Sequence, residues 1–561
     1  MRFEDAAAAV TAPGQPFEVT TVTLPAGHQV EVFAHSPPSL REVFGTARER
    51  HGAVFLVYED ERWTFPDTMR QVDAAGRVLV DRYGVREGDR VAIAMRNYPE
   101  WVMAFAAITS IGAVSVSLNA WWTADELDYA LGDCGAKVLV ADRERVERAG
   151  ATCSRLGIAT LGVRLGDGPT PEHTDRWEDV VGAAVAAGAV MPDVAVDPDD
   201  DATILYTSGT TGFPKGAVST HRAVVHALMS FACRGAIDTV RAGTVPDPAA
   251  PPPSFILIVP LFHVTGSVPV LLSCFAGGLK LVIMYKWDPQ RALPLIERER
   301  ITNFVGVPTQ AWDLLESPEF ARHDTSSLVS VGGGGAPAPP ELVKRVDGAF
   351  SQAKPNLGYG MTETNAYGPG NNGQDYLDHP TSTGRVVPTV RLQVRDPEGR
   401  PVPAGDVGEI WFYGAHLIRG YWGKPEATAE TIVDGWLRSG DLGRIDAEGF
   451  VYVVDRAKDM VLRAGENVYC AEVEAAVYEH SGVHEAAVFG MPHERLGEEV
   501  AVAVHLKDGA SLDVDDLRAF LAPRLAPFKI PSRVFVLDVP LPRNPAGKFL
   551  KRQLRDELLG G

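Results

Sequence analysis

The stretch TILYTSGTTGFPKGA, at residues 203–217, is the most informative part of the sequence. It begins with a short apolar run typical of a strand, continues as a Gly/Ser/Thr-rich loop ending in Pro214 and Lys215, and precedes a helix-like run with Ser219 and Thr220 as alternative N-caps. Glycines let backbone N–H groups turn inward, hydroxyls add donors and Lys215 adds a charge. The stretch therefore predicts a strand, a phosphate-binding loop and a helix, although it lacks the GxxxxGK[ST] order. An ordinary flexible turn is the alternative.

A strand–helix rhythm extends outward from this loop. Thr123 and Glu126 form a capping-box pattern at the start of one of the helices. Single helices between strands imply βαβ crossovers, and hence an α/β fold with parallel-rich sheets covered on both faces. Residues 238–254, rich in Pro, Ala and Asp, predict an exposed loop. The predicted strands are RVAIAM (90–95), AVSVS (113–117), KVLVA (137–141), FILIV (255–259), KLVIM (280–284) and TNFVGV (302–307); the predicted helices begin at Pro99, Thr123 and Pro289 and after His263.

Composition narrows the class of protein. The chain has 561 residues and a net charge of -20, which argues against a nucleic-acid-binding surface and leaves any anionic ligand to local groups. Five widely spaced cysteines without a CxxC favour neither a disulfide framework nor a zinc site, and fit a reducing cytoplasm. No apolar run predicts a transmembrane segment, and MRFEDAAAAV is unlike a signal peptide. Peripheral membrane contact stays open.

Several sequence motifs resemble those of a single known protein family. YTSGTTGFPKGA (206–217) resembles the signature loop of the adenylate-forming superfamily, which includes acyl-CoA synthetases, luciferases and the adenylation domains of peptide synthetases. The later motifs follow in the order of that family, and the resemblance extends from about Ser39 to the C-terminus. They are GGGAPAP (333–339), NLGYGMTET (356–364), GEIWFYG (408–414), WLRSGDLG (436–443), VVDRAKDMVLRAGENV (453–468) and PRNPAGK (542–548).

The resemblance implies a domain organisation. A large adenylation domain spans 39–455 and a small mobile α+β domain spans 456–561, with Asp455 or Lys458 as the hinge. Rotation of the small domain would exchange the adenylation lysine for a loop carrying Gly465 and Glu466, which serves CoA. Residues 1–38 lie outside the resemblance, and we expect them to form an N-terminal extension, an arm that packs on the large domain or on a second subunit of a homodimer.

The resemblance also implies the residues that bind ATP and Mg2+. Glu363 would hold the metal, a role that suits a carboxylate oxygen, although an acid at a helix start is the plain alternative. Lys548 would bridge the substrate carboxylate and ATP, and Lys551 is expected to be a solvated surface lysine. Thr362, Lys215 and Lys548 join Glu363 as catalytic residues. The remaining nucleotide-binding set is Thr207, Ser208, Gly209, Thr210, Thr211, Gly212, Gly334, Gly335, Ala336, Pro337, Tyr359, Gly360, Asp441 and Arg456.

The sequence gives fewer indications of the residues that form the acyl pocket. By the same resemblance, LFHVTG places His263 and Val264 at the pocket wall, with Gly334, Gly358 and Gly360 beside them. A lone His among apolar residues is more often a packed core residue. LFHVTG has no Asp to pair with an amino group, which argues against an amino-acid substrate. Two departures from the family are Ala546, where Ser or Thr is common, and Cys470, where Pro is usual.

The predicted function is ATP-dependent acid–thiol ligation. A carboxylate is a poor electrophile, and attack of its oxygen on the α-phosphorus of ATP gives an acyl-adenylate, from which a thiol displaces AMP. The expected substrate is an apolar acid, aliphatic before aromatic, and the expected acceptor is CoA. An aryl-CoA ligase, an acyl-AMP ligase that loads a carrier-protein thiol, and an inactive adenylate-binding scaffold are the alternatives.

Overall fold

Most of the chain is described by the structure, a computed structural model. It covers residues 1–50, 52–207, 213–243, 252–335, 338, 340–464, 466–507, 509–544 and 549–560. The predicted site residues Ser208, Gly209, Thr210, Thr211, Gly212, Ala336, Pro337, Gly465 and Lys548 lie outside these ranges.

The strands of the described residues lie in three groups along the chain. The first group is β1 (Val19–Thr23), β2 (Gln29–Phe33), β3 (Val54–Tyr58), β4 (Glu61–Thr64), β5 (Arg90–Ala94), β6 (Val114–Ser117), β7 (Val138–Asp142), β8 (Ala159–Val163) and β9 (Thr174–Arg176). The second is β10 (Asp201–Thr207), β11 (Lys215–Thr220), β12 (Ser254–Leu257), β13 (Lys280–Ile283), β14 (Asn303–Gly306), β15 (Ser330–Gly334), β16 (Lys354–Gly358), β17 (Gly370–Asn372), β18 (Arg391–Arg395), β19 (Gly408–Tyr413), β20 (Gly420–Tyr421), β21 (Ile432–Val433), β22 (Trp436–Ile445) and β23 (Val451–Arg456). The third is β24 (Val461–Arg463), β25 (Glu466–Val468), β26 (Val483–His493), β27 (Gly497–Leu506) and β28 (Arg533–Leu537).

Helices connect most of these strands. The α-helices are α1 (Phe3–Thr11), α2 (Leu40–Gly45), α3 (Phe65–Asp81), α4 (Pro99–Ser110), α5 (Ala124–Cys134), α6 (Arg143–Leu156), α7 (Trp177–Ala186), α8 (His221–Ala242), α9 (Ser273–Gly277), α10 (Pro289–Glu299), α11 (Pro308–Glu316), α12 (Pro340–Ala349), α13 (Gly373–Asp378), α14 (Pro425–Thr431), α15 (Cys470–Tyr478), α16 (Val514–Leu521) and α17 (Lys551–Gly560). Short 3₁₀ turns cover Thr46–Glu49, Phe320–Arg322, Thr362–Thr364 and Pro527–Lys529, and a π-helical turn covers Gly266–Leu272.

Two eight-stranded sheets form most of the large domain. Their orders are β20-β11-β10-β6-β5-β7-β8-β9 and β17-β16-β15-β14-β12-β13-β3-β4. The inner pairs of both sheets are parallel, for example β5 with β6 and β12 with β14. A continuous core links the two sheets, with Trp101 of α4 and Phe304 of β14 fully buried in it. The predicted α/β class and the βαβ rhythm are confirmed, including the capping box between Thr123 and Glu126.

The predicted strand–loop–helix around residues 203–217 is partly wrong. A second strand, β11, pairs antiparallel with β10 and places Thr207 opposite Lys215, so the loop is the tip of a hairpin. Ser219 lies within β11, and Thr220 alone caps α8, its side chain accepting the backbone N–H of Ala223. β11 lies between β10 and β20 in the sheet. Its strand conformation therefore depends on pairing with a segment distant in sequence, which the local sequence pattern does not reveal.

Helix α8 is longer than predicted. Its last residues, 238–242, lie in the segment predicted to be a loop, and residues 244–251 of that segment lie outside the described ranges. By length and composition α8 is apolar enough to cross a membrane, with a mean hydropathy of 1.2, yet 56% of that window is buried inside the protein. A buried core helix has the same composition as a span. The apolar character of α8 is accounted for by its packing.

The N-terminal extension packs on the large domain of its own chain. Helix α1 buries Phe3 against α8, and the guanidinium of Arg385 lies 4.4 Å from the centre of the Phe3 ring. The β1–β2 hairpin buries Val30 and Val32 beside Tyr413, whose hydroxyl donates to the carbonyl of Gln29 at 2.8 Å. One of the two predicted alternatives for this arm, packing on the large domain, is therefore present in the structure.

The C-terminal residues form a separate domain with its own sheet and cores. Its strands follow the order β25-β24-β27-β26, with β28 added to β27. Val488 and Val502 lie in a core with α15 and α16, and Leu554 of α17 lies in a second core on the other face. A third sheet of the large domain, β18-β19-β22-β21 with β23, precedes this domain.

Candidate active site

The phosphate-binding candidates that are described, Thr207 and Lys215, form the last residue pair of β10 and β11 before the loop. The hydroxyl of Thr207 donates to the carbonyl of Lys215 at 3.3 Å. The Lys215 ammonium lies 4.6 Å from the centre of the Tyr421 ring. Among the described residues no carboxylate pairs with Lys215, so its charge remains available to an anionic ligand.

Glu363 lies next to the same tyrosine. Its carboxylate is buried, and its Oε1 accepts a hydrogen bond from the Tyr421 hydroxyl at 2.7 Å. Burial and the neighbouring Glu363 charge raise the pKa of Tyr421, which keeps the phenol protonated as the donor. Lys215, Tyr421 and Glu363 thus form one cluster in which a cation and a carboxylate share an aromatic neighbour.

Tyr421 was not predicted from the sequence. It lies on β20, which pairs with β11 and so brings residue 421 beside Lys215. The available signal was the run GYW at 420–422, where a glycine and two aromatic residues follow a polar loop. The strand has only two residues, too short for a periodic pattern.

The turn that carries Glu363 is fixed by Asn365. Asn365 adopts a left-handed φ of 50°, accepts from the Ser219 hydroxyl at 2.9 Å and donates to the carbonyl of His416 at 2.9 Å. Thr362 begins the 3₁₀ turn and its carbonyl accepts the N–H of Asn365 at 3.1 Å. A side chain at Gly360 would place its Cβ 2.2 Å from the carbonyl oxygen of Ala366. Closure of this turn is therefore a structural reason for glycine at 360, beside the predicted open channel.

Three of the predicted nucleotide-binding residues are in contact. The Tyr359 hydroxyl donates to Oδ2 of Asp441 at 2.6 Å, and Nε of Arg456 lies 3.5 Å from Oδ1 of Asp441. Asp441 and Arg456 are partners across β22 and β23, so the sheet register holds this pair. Burial and the charge of Asp441 raise the pKa of Tyr359. Tyr359, Asp441 and Arg456 thus form one cluster around a buried carboxylate.

The glycines of the predicted adenine segment lie at neighbouring strand ends. Gly334 of β15 is opposite Gly358 of β16, and a Cβ at Gly334 would lie 2.3 Å from the carbonyl oxygen of Gly358. Gly335 continues with a left-handed φ of 83°. Carboxyl ends of parallel strands meet at one edge of a sheet, which is where ligands of open α/β sheets bind.

The predicted pocket wall follows β12 at the same edge. Val264 is buried, and Nδ1 of the partly buried His263 accepts the N–H of Thr265 at 3.3 Å. The π-helical turn Gly266–Leu272, with Pro269 inside it, follows directly. Such turns often occur at functional sites. The structure therefore places the two predicted wall residues after the carboxyl end of β12, with Val264 buried in the core.

The predicted hinge is the end of β23 and the residues after it. Asp455 is buried and accepts the N–H groups of Arg456, at 2.7 Å, and of Cys470. Burial first, and repulsion by Arg456 second, lowers the pKa of Lys458. Cys470 is the first residue of α15, where a proline fits sterically but has no N–H to give Asp455. Cysteine at 470 therefore adds a bond between the hinge and the small domain.

The charge of Asp455 predicts a pH dependence. Burial raises its pKa from 3.8 to about 6, so the folded protein binds this proton more tightly than the unfolded chain does. The stability that it contributes is complete below about pH 4 and is lost as pH rises through about 6. We expect the unfolding free energy of the wild type relative to Asp455→Asn to fall by about 2–3 kcal/mol between about pH 4 and about pH 7, measured by urea denaturation. The exposed Asp538→Asn is the control, and a difference that does not change with pH would contradict the assignment.

The small domain contacts the large domain beside the site. Arg543 donates to the Thr309 hydroxyl at 3.3 Å, and Nδ1 of His484 lies 3.7 Å from Glu316. Both acceptors belong to α11, which follows β14 of the second sheet. Glu466, the described member of the predicted CoA pair, is exposed at the start of β25. The segment that leads to Lys548 therefore docks on the large domain.

One lysine differs from its prediction. Lys551 is not solvated: its side chain is 20% exposed and its ammonium pairs with Glu474 at 2.7 Å. Burial lowers the pKa of Lys551, but the charge and hydrogen bond of Glu474, together with the nearby Asp455 and Cys470, raise it above its ordinary value. The pairing explains how a lysine is accommodated at the base of α17.

Glu363, the predicted metal ligand, and the five cysteines all lie within the described residues. Oε2 of Glu363 has no hydrogen-bond partner among the described residues, so one hard oxygen is free for a cation shared with phosphates. No cluster of three or more His, Cys, Asp or Glu side chains that could hold a metal by itself occurs in the described ranges. Magnesium often binds through one or two carboxylates plus substrate phosphates, so Glu363 fits this ion.

All five cysteines are buried and free.

Comparisons with known proteins agree with this arrangement. The AMP-binding enzyme family matches residues 43–422, and the AMP-binding enzyme C-terminal domain matches residues 472–548. The chain is 36% identical to the feruloyl-CoA synthase of an Amycolatopsis species over 90% of this chain and 94% of that one. It is 33% identical to the long-chain fatty-acid–CoA ligase FadD13 of Mycobacterium tuberculosis over 89% and 93%. The crystal structure of ATP-bound MatB from Rhodopseudomonas palustris superposes with a TM-score of 0.79 at 30% identity, covering 92% of this chain and 98% of that one. The chain therefore belongs to the AMP-binding enzyme family of the adenylate-forming superfamily and is an enzyme of the acyl-CoA ligase type.

Proposed function

We propose that this ATP-dependent acid–CoA ligase activates an apolar carboxylic acid, aliphatic before aromatic. The observation that carries the proposal is the cluster of Lys215, Tyr421 and Glu363, in which a cation and a carboxylate contact one tyrosine. Glu363 follows β16 of the second sheet, and the predicted apolar wall at Val264 follows β12 of the same sheet. The cation and the metal candidate would receive triphosphate oxygens, and the apolar wall would receive the acyl group. LFHVTG offers no carboxylate to an ammonium group, which supports an acid without an amine.

The adenylation step needs two anions to meet. The carboxylate oxygen attacks the α-phosphorus of ATP, a bond to phosphorus forms, and pyrophosphate leaves. Lys215 and Lys548 would lower the repulsion between these anions, Thr362 would donate to the α-phosphate, and Asp441 would accept from the ribose hydroxyls with Arg456 beside it. Magnesium, held by Glu363, would neutralise charge on the phosphates. The CoA thiol then attacks the acyl carbon and AMP leaves.

The domain organisation supports a two-step cycle. The described contacts between the small domain and α11 include Arg543 with Thr309 and His484 with Glu316. Contacts of this kind can be exchanged, and Asp455 and Lys458 lie where the chain passes between domains. We infer a boundary at 455/456, rotation about this hinge, and a thiol step served by Gly465 and Glu466. The buried, free cysteines support a cytoplasmic location.

One alternative acid has specific support, and one alternative acceptor follows from the sequence analysis. Feruloyl-CoA synthase, the relative named above, acts by its name on an aryl acid, so an aryl acid is the second candidate. A carrier-protein thiol in place of CoA is the third, and it would leave the adenylation site unchanged.

Turnover of an acid panel tests the substrate class. The purified protein is incubated with MgATP, CoA and straight-chain, branched or aryl acids, and acyl-CoA is measured by mass. We expect the highest kcat/KM for apolar straight-chain or branched acids. A clear preference for aryl acids would replace the proposed class by the second candidate, and pyrophosphate without thioester would favour a carrier-protein acceptor.

A further inference from the structure

One face of helix α5 contacts the hairpin that carries the phosphate-binding candidates. The Tyr129 ring stacks on the ring of Phe213, with centroids 4.4 Å apart and an angle of 17° between the planes. The Tyr129 hydroxyl also donates to the carbonyl oxygen of Pro214 at 3.3 Å. Phe213 and Pro214 directly precede Lys215 in the chain. Tyr129 therefore contacts both residues that lead into the start of β11.

Asp133, four residues after Tyr129, connects the same helix to the strands beside β11. Residues four apart lie on one face of a helix. Oδ2 of Asp133 accepts the Tyr206 hydroxyl at 2.7 Å, and its backbone carbonyl accepts the indole N–H of Trp422 at 3.2 Å. Tyr206 lies in β10, and Trp422 follows Tyr421 of β20. Helix α5 is thus fixed to β10 and β20, the two strands that flank β11.

Phe213 is an exposed apolar residue. Its side chain is 71% exposed, whereas Tyr129 is partly buried. Burial in a core therefore contributes little to the orientation of the Phe213 ring, and the stack on Tyr129 contributes more. An aromatic pair can change an equilibrium between two arrangements about 3- to 10-fold. The stack is strong enough to favour one position of the chain at 213–215.

The side chain of Lys215 depends on the placement of this stretch of chain. Its ammonium lies against the Tyr421 ring, and in the part of the chain that the structure describes no carboxylate pairs with it. A lysine without an ion pair is placed chiefly by the backbone that carries it, because its side chain is long and flexible. A contact that holds Phe213 and Pro214 therefore also restricts where the Lys215 ammonium lies.

We propose that Tyr129 is a positioning residue for Lys215 in the adenylation half-reaction. It acts through Phe213 and Pro214, which it holds so that the ammonium is in place before ATP binds. If fewer molecules have the lysine in place, the apparent affinity for ATP falls in proportion. The acyl-adenylate has lost pyrophosphate, so the thioester half-reaction does not depend on this contact. The inference rests on the proposed function, in which Lys215 receives triphosphate oxygens.

Replacing Tyr129 by leucine tests the stack. In acid-dependent pyrophosphate release we expect the KM for ATP to rise about 3- to 10-fold while kcat stays near the wild-type value. The KM for CoA and the rate of thioester formation from a supplied acyl-adenylate should not change. Tyr129→Phe keeps the ring and should keep the KM for ATP close to that of the wild type. Equal losses in both variants, or no change in either, would overturn the assignment.

A double replacement identifies the contact that matters. Phe213→Leu removes the same stack from the other side and should raise the KM for ATP by the same factor as Tyr129→Leu. The double variant should be no worse than either single variant, because both changes remove one shared contact. Additive effects would contradict the stack as the cause. Phe520→Leu is the matched control: its partly exposed ring packs edge-on against His480 at 5.1 Å in the small domain, and its KM for ATP should match the wild type.

A binding measurement separates this inference from the proposed function. MgATP is titrated calorimetrically, without acid, into the wild type, Lys215→Ala and Tyr129→Leu. We expect the dissociation constant to rise in both variants, and at least as much in Lys215→Ala. An unchanged constant in Lys215→Ala would overturn the role proposed for the lysine and this inference with it. A raised constant in Lys215→Ala with an unchanged one in Tyr129→Leu would overturn this inference alone.

Discussion

Replacing Glu363 by glutamine is expected to lower acid-dependent pyrophosphate release about 100- to 1000-fold. The amide keeps the size of the side chain and can still accept from Tyr421, but it removes the negative charge that a magnesium ion needs. A metal that stabilises the phosphate charge lowers the activation barrier by several kcal/mol. A change of about 1.4 kcal/mol in the barrier corresponds to a tenfold change in rate. The rate is measured at saturating ATP over a range of Mg2+ concentrations.

Two further variants separate charge from packing. Glu426→Gln changes an exposed glutamate in the first turn of α14 and is expected to keep the wild-type rate. Tyr421→Phe removes the hydroxyl that orients Glu363, and we expect a loss of about tenfold with a higher Mg2+ requirement. A Glu363→Gln enzyme with full activity at ordinary Mg2+ would show that the ion is held elsewhere.

Replacing Lys548 by alanine is expected to slow the adenylation half-reaction and to leave the thioester half-reaction nearly unchanged. Adenylation should fall about 100- to 1000-fold, because the lysine expected between the carboxylate and ATP stabilises charge that develops in the transition state. Thioester formation from a supplied acyl-adenylate and CoA should change little, since the small domain would by then present the Glu466 loop. The two rates are measured separately by pyrophosphate release and by acyl-CoA mass.

An exposed lysine of the same domain provides the control. Lys507→Ala is expected to leave both half-reactions at the wild-type rate. If Lys548→Ala slowed the two half-reactions equally, the lysine would serve folding or domain docking instead of adenylation.

The sequence predicted the parts of the fold that local patterns encode. The strand at 90–94 and the helix at 99–110 follow from a short apolar run and from Pro99 at the first helical turn. The segment 215–220 was predicted as loop and helix start, because its pairing with β10 and β20 is set by distant residues. Strand propensity depends on such neighbours more than helix propensity does.

The site residues also fall into two groups: those that a sequence motif reveals, and those whose role depends on a contact formed only in the folded protein. Glu363, Asp441 and Arg456 are in motifs that could be recognised from residue type and order, although their roles in catalysis remain proposals. Tyr421 could not be found in this way, because its importance comes from a contact made through a two-residue strand. The pairing of Lys551 with Glu474 joins two helices far apart in sequence, so it too was invisible before folding.

The most direct test of the account is the stoichiometry of products formed with the preferred acid, ATP and CoA. We expect one acyl-CoA, one AMP and one pyrophosphate for each acid consumed, measured by mass spectrometry and nucleotide chromatography. Formation of ADP and phosphate, or of AMP and pyrophosphate without a thioester, would contradict it.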